Sequence, residues 1–171
     1  MNRRTFVKRG LWGGLLLAAG GSLGLGLWPS AMMRPPRRAL QALDRRQFAI
    51  LAAVAARTVA APDADPVEIA HRCDERLAIA YPEVRHDIAQ LLLLLENGLT
   101  GLLLDGRARP FTRLSPEAQD AALYHWRDSK LALRRGGYAA LRKLTQAVWY
   151  GPPAGWPDTG YPGPPTFASP S

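Results

Sequence analysis

Residues 39–150 predict an all-α fold, a small bundle of five or six helices. Three observations predict it. Apolar residues recur at intervals of three and four, no segment alternates strictly over strand length between turn signals, and N-cap residues stand at the heads of the amphipathic runs. A chain of 171 residues holds one domain plus tails, divided here into a signal or anchor helix at 1–38, the bundle at 39–150 and an extended Pro/Gly-rich tail at 151–171.

The N-terminal segment opens on basic residues, then runs uncharged from Leu11 to Trp28 before Pro29, Ser30, Ala31 and Arg34. Arg3-Arg4-Thr5-Phe6-Val7-Lys8 has the consecutive arginines, apolar pair and lysine that mark a twin-arginine export signal. Gly13, Gly14, Gly20, Gly21, Gly24 and Gly26 dilute the apolar run, and such mild hydrophobicity suits that route. The run is also long enough to cross a hydrocarbon core of roughly 30 Å as a permanent anchor in the inner membrane. No clear Ala-x-Ala cleavage site stands after it, so a removed signal and a retained anchor both remain open. Either way the folded part is expected in the periplasm, attached to or facing the inner membrane, after handling by the twin-arginine translocase.

Beyond this leader each helix announces its start. Asp44 and Gln47 form a capping box ahead of Phe48, Leu51, Ala55 and Val59, predicting a helix to about Ala60. Asp65-Pro66-Val67-Glu68 supplies a cap, a proline at the first position and an acid in the first turn, with Val67, Ala70, Cys73, Leu77 and Ala80 turned inward. From Pro82 the stripe of Val84, Ile88, Leu91, Leu92, Leu95 and Leu99 predicts the central helix, closed by Asp105-Gly106 and followed by a connector at 107–114. A second membrane span over 88–104 is disfavoured because Glu96 near its middle would cost about 3 kcal/mol in lipid. Ser115-Pro116-Glu117 opens a helix through Ala122, Trp126 and Leu133 with an interruption expected at Gly136-Gly137, and Tyr138, Leu141, Leu144, Thr145, Val148 and Trp149 line the last one.

The charge distribution excludes a partner class. The formal net charge of +8 suggests a polyanion-binding protein, but Arg3, Arg4, Lys8, Arg9, Arg34, Arg37 and Arg38 lie in residues 1–38 without one acid. The remainder carries 15 basic against 14 acidic residues, too even for a phosphate-binding groove, and nucleic acid is not expected as a partner.

No catalytic constellation emerges. His71, His86 and His125 have no second His or Cys at helical metal-pair spacing, and His71 with Glu75 is the nearest approach, best read as a hydrogen-bonded or solvated histidine. Cys73, the only cysteine, sits on an apolar stripe as a small buried hydrophobe, with an interchain disulfide as the lesser alternative. Asp74, Glu75 and Asp128 read as solvated helix faces. Nucleotide-binding and acyl-transfer motifs are absent, so no metal, cofactor or catalytic residue is expected on this chain, and an independent enzyme is a minor alternative.

The ending is distinctive. After Tyr150, Gly151, Pro152, Pro153, Gly155, Pro157, Gly160, Pro162, Gly163, Pro164 and Pro165 leave little room for regular structure, with Trp156 and Tyr161 set among them. Large aromatic surfaces held at low ordering cost suit docking on a partner, and equally suit folding back over the chain's own bundle.

The leader, the helical body, the start Leu114-Ser115-Pro116-Glu117, and the ending Trp149-Tyr150-Gly151-Pro152-Pro153-Ala154-Gly155-Trp156-Pro157 with Gly160-Tyr161-Pro162-Gly163-Pro164 resemble the small subunit (subunit 3) family of membrane-associated gluconate dehydrogenases. The resemblance implies a non-catalytic chain that escorts and stabilises a large FAD-dependent subunit of the glucose-methanol-choline class. It implies FAD on that partner and haem c on a c-type cytochrome subunit where one is present. In this reading Arg3, Arg4, Phe6, Val7 and Lys8 address export, and Trp149, Tyr150, Trp156, Tyr161 and Pro162 bind the partner. The rival is a stand-alone inner-membrane-anchored helical adaptor without an oxidoreductase partner.

Overall fold

The computed structural model describes residues 34–97, 109–153 and 156–164. They form five α-helices: α1 Arg45–Thr58, α2 Pro66–Ala78, α3 Pro82–Glu96, α4 Pro116–Arg127 and α5 Ala132–Tyr150, with 3-10 turns at Phe111–Arg113 and Pro157–Thr159. No strand occurs among the described residues, so the all-α expectation holds there. The twin-arginine residues Arg3, Arg4, Phe6, Val7 and Lys8, and the apolar run after them, lie outside the described residues.

The caps work as their chemistry requires. Asp44 Oδ1 accepts from Gln47 N at 2.7 Å while Gln47 Oε1 accepts from Asp44 N at 3.0 Å, the reciprocal pair of a capping box. Asp65 caps α2 through Val67 N at 2.9 Å, and Ser115 caps α4 through Ala118 N at 3.3 Å. Both helices carry proline in the first turn, where a missing N–H costs nothing.

The central element is α1, not α3 as the leucine count suggests. Every residue from Phe48 to Ala55 is buried, and α2, α3, α4 and α5 all pack on this one helix. Its four buried alanines, at 49, 52, 53 and 55, bring little hydrophobicity but let neighbouring backbones approach closely. Among the described residues of the α3 stripe only Ile88, Leu92 and Leu95 are buried; Leu91, Leu93 and Leu94 are half-buried, Val84 is 47% exposed, and Leu99 lies outside the described residues. The α3 helix stops at Glu96, with Asn97 in extended backbone, so it does not continue unbroken towards Asp105; residues 98–108 lie outside the described residues.

Glu96 anchors this end of the helix. Its carboxylate is 1% exposed and accepts from Thr112 N at 2.9 Å and Thr112 Oγ1 at 2.7 Å, fastening the end of α3 to the 3-10 turn at 111–113. That turn is more than a connector. It seats Phe111 fully in the core, and Gln119 Nε2 of α4 donates to the Phe111 carbonyl at 3.1 Å.

The break expected at Gly136-Gly137 falls earlier, at 128–131, where Asp128 ends α4 and Ser129 Oγ accepts from Leu131 N at 3.2 Å. The last helix runs straight through both glycines. Gly137 is there for space: a Cβ would lie 2.9 Å from both Leu91 Cδ2 and Trp126 Cζ3, so its absence lets the Trp126 ring lie against α5. At Gly136 the corresponding position is open.

The two glycines are therefore expected to respond with opposite sign. Gly136→Ala should stabilise by about 0.5–1 kcal/mol through helix propensity. Gly137→Ala should destabilise by about 1–3 kcal/mol through overpacking. Chemical denaturation of the two variants beside the unchanged chain measures both; equal effects would show that Trp126 is not held against Gly137.

Candidate functional site

The residues proposed from the sequence to bind a partner fall into two structural groups. Trp149 and Tyr150 belong to the last turn of α5 and pack half-buried against the core. Their position follows from the helical period, which carries them on from Leu141, Thr145 and Val148. Trp156, Tyr161 and Pro162 belong to a separate turn beyond the helix end.

That turn is not extended. Trp156 Nε1 donates to Gly151 O at 3.2 Å, and the Trp156 carbonyl accepts from Thr159 N at 3.0 Å, Thr159 Oγ1 at 2.9 Å and Tyr161 N at 3.2 Å. Pro157–Thr159 forms a 3-10 turn, and Gly160 at φ +68° reverses the chain. The Tyr161 ring then stands edge-on to Trp156, with centroids 5.3 Å apart and planes at 77°. Gly163, at φ +106°, lies so close beneath the indole that a Cβ would approach Cζ3 to 3.1 Å. Proline rigidity and two positive-φ glycines thus wrap the segment around one tryptophan, a fold that proline content alone does not disclose. Trp156 is half-buried, while Tyr161 and Pro162 are exposed.

A second constellation was missed in the sequence. His71 and Asp74, one turn apart on α2, are 2% and 1% exposed and fasten the chain leading into α1. Nε2 of His71 accepts from Arg37 N at 3.0 Å and Arg38 N at 3.3 Å, with the Phe48 ring 4.6 Å away. The Asp74 carboxylate accepts from Gln41 N at 2.7 Å, Ala42 N at 3.0 Å and Leu43 N at 2.8 Å. Five backbone donors that no helix could satisfy are thereby paired. Asp74 is accordingly a buried acceptor, which corrects its assignment to a solvated face; its neighbour Glu75 is exposed and reaches Arg38 at 3.4 Å. Arg37 pairs with Asp65, and Arg34 Nη1 donates to Ala52 O at 2.9 Å, so the segment is also held by its side chains. The signal that pointed to this role was the polar pair His71 and Asp74 flanking Cys73 on an otherwise apolar stripe.

These contacts consume the reactive groups. Burial, then the Arg38 charge, lower the proton affinity of His71 below its usual value, and Nε2 acts as an acceptor only when unprotonated. Burial pushes the Cys73 thiol up to about 12, with the Asp74 charge adding to it, so the group stays a thiol and makes a weak contact with Leu144 O at 3.8 Å. His86 and His125 are exposed, on α3 and α4. Among the described residues no group of three or more His, Cys, Asp or Glu is placed to hold a metal ion. Asp128 is exposed, as expected, and its carboxylate accepts from Arg127 Nε and Nη2, each at 2.8 Å.

Two predictions follow from this fastening. Asp74→Ala leaves three backbone donors unpaired and should cost about 2–4 kcal/mol of unfolding free energy, whereas Glu75→Ala should cost under about 1. Equilibrium urea unfolding separates them, and similar costs would refute the buried-acceptor role. Because His71 binds its proton more weakly folded than unfolded, the native state carries fewer protons. Its contribution is therefore complete above the unfolded value of about 6.5 and is lost as pH falls through the lower folded value. A His71→Gln variant should show a flatter decline of stability on acidification, measured by thermal unfolding from neutral pH downward.

Against this geometry, no family model, no curated protein and no solved structure matches the chain.

Proposed function

We propose that this chain is the non-catalytic small subunit of a periplasmic flavin-dependent sugar or alcohol dehydrogenase, which it escorts through the twin-arginine translocase and then stabilises. In this reading the leader residues Arg3, Arg4, Phe6, Val7 and Lys8 engage the export machinery. FAD resides on the large subunit, and haem c on a cytochrome subunit where one is present. The inner membrane is met through the N-terminal segment.

One observation carries the reading: a chain that begins with a twin-arginine pattern ends in a preorganised aromatic turn. Trp149 and Tyr150 root the ending in the bundle, and Trp156 with Tyr161 are offered on a turn whose conformation is set by its own hydrogen bonds. A partner that grips such a turn pays little ordering entropy, the condition for aromatic anchors to bind well. The residues with chemical potential support a non-catalytic role, since His71 and Asp74 are spent on backbone donors and Cys73 is a buried thiol.

Expression of both chains in the native host tests the escort. Replacing Arg3 and Arg4 by lysine should strand this chain and the flavoprotein together in the cytoplasm, as read by fractionation and flavin absorbance. A large subunit that still reached the periplasm would overturn the escort role. Trp156→Ala should weaken co-purification of the flavoprotein by about tenfold or more, about 1.4 kcal/mol or more, with helical circular dichroism unchanged. Loss of helicity would instead assign Trp156 to the chain's own stability.

A further inference from the structure

The charges of the body, nearly balanced in sum, are segregated by element. Helices α2 and α3 carry the acids Glu68, Asp74, Glu75, Glu83, Asp87 and Glu96 against Arg72, Arg76 and Arg85. By contrast α5 carries Arg134, Arg135, Arg142 and Lys143 and no acid, and no acid follows Asp128 until Asp158. Arg134 is buried over the Trp126 ring, its guanidinium carbon 5.5 Å from the centroid, while Arg135, Arg142 and Lys143 are exposed.

Beside this basic helix lies a groove of about 310 Å³, formed where the C-terminal end of α1 meets α4 and α5. Arg57, Arg127 and Arg142 line it together with Tyr124 and Tyr138. Tyr124 is 51% exposed and carries the Arg127 guanidinium over its ring at 4.7 Å. The floor is rigid, because Gln146 Nε2 donates to Thr58 O at 3.0 Å and Thr58 and Thr145 share a hydroxyl hydrogen bond of 2.8 Å. Asp120 is 3.7 Å from Arg57 and Asp128 holds Arg127, so two of the three arginines are positioned by carboxylates and Arg142 stands exposed beside them.

We propose that this groove docks an acidic segment of a partner protein, with Arg142 pairing a carboxylate of the segment and the tyrosine rings covering its apolar stems. Guanidinium groups suit carboxylates by their paired donors, and tyrosine supplies contact area at small entropic cost. At about 310 Å³ the groove is at the small end of ligand clefts, with room for a few side chains rather than a dinucleotide. A nucleic-acid strand is the poorer occupant, because the groove is too small for a run of phosphates and basic and acidic residues beyond residue 38 are nearly equal in number. The groove adjoins the helix that ends in Trp149 and Tyr150, so a chain held by the aromatic ending lies within reach of it. Only the identity of the partner rests on the subunit reading; the groove chemistry is independent of it.

The probe is fluorescein-labelled hexaglutamate, titrated with the full chain by fluorescence anisotropy. The expected result is saturable binding that weakens at least about tenfold between about 50 and 300 mM salt. Arg142→Glu should weaken it by about tenfold or more, and Lys143→Glu, one position round the helix, by less than about threefold. Circular dichroism checks that both variants remain folded. Absence of binding, equal losses in the two variants, or tighter binding of a single-stranded DNA dodecamer would each overturn the groove assignment. Co-purification of the flavoprotein, with and without excess hexaglutamate, separates the two proposals. Peptide binding through Arg142 with no flavoprotein captured refutes the subunit reading alone, and capture without any peptide binding refutes the groove alone.

Discussion

A helix buried around its whole circumference constrains everything else in this molecule. With eight consecutive residues of α1 out of water, each neighbour must present an apolar surface to it, and the chain must find a dry path into and out of the centre. Alanine makes the arrangement feasible. Four alanines in that run let helices approach closely, while Phe48, Ile50, Leu51 and Val54 supply the area removed from water. The capping box at Asp44 then matters more than its usual ~1 kcal/mol, because it defines where the buried run begins relative to the layers around it.

Entering a dry centre exposes backbone donors to desolvation, and the solution lies on α2. His71 and Asp74 accept five N–H groups between Arg37 and Leu43, converting an irregular approach segment into part of the packed body. The Glu96 carboxylate does the same at the other side of α1, where it holds Thr112 and so seats Phe111. In each case an ionisable side chain buried on a helix satisfies backbone that has no ladder to join, which is why these residues are unfit for roles that need exposure.

Among the described residues the remaining surface is marked by segregated charge and by aromatic rings. An acid-free α5, a groove lined by arginine and tyrosine, and a self-wrapped tryptophan turn lie at or beyond the C-terminal half of the bundle. Arginine and large aromatics are the side chains that most often carry binding energy at protein interfaces, and the two proposals above rest on them.

Local signals were sufficient for the start of each capped helix, because capping is settled within four residues, and for the burial of Cys73 on an apolar stripe. They also marked Trp149, Tyr150, Trp156, Tyr161 and Pro162 as an unusual ending, though not the turn that wraps Tyr161 around Trp156, which depends on hydrogen bonds between residues three to five apart and on two positive-φ glycines. Which helix lies at the centre was decided only by tertiary packing: the leucines of α3 outweigh the alanines of α1 in hydrophobicity, but close approach of backbones favours the smaller residue. The same holds for Gly137, a helix breaker by propensity and a contact point for Trp126 in three dimensions, and for Asp74, whose three partners lie more than thirty residues back along the chain. The sequence by itself determined the helical class and the beginnings of the helices capped by Asp44, Asp65 and Ser115, since these depend on neighbours in the chain; the start of the last helix, the centre, the fastening of its entry and the basic groove depend on residues that only folding brings together.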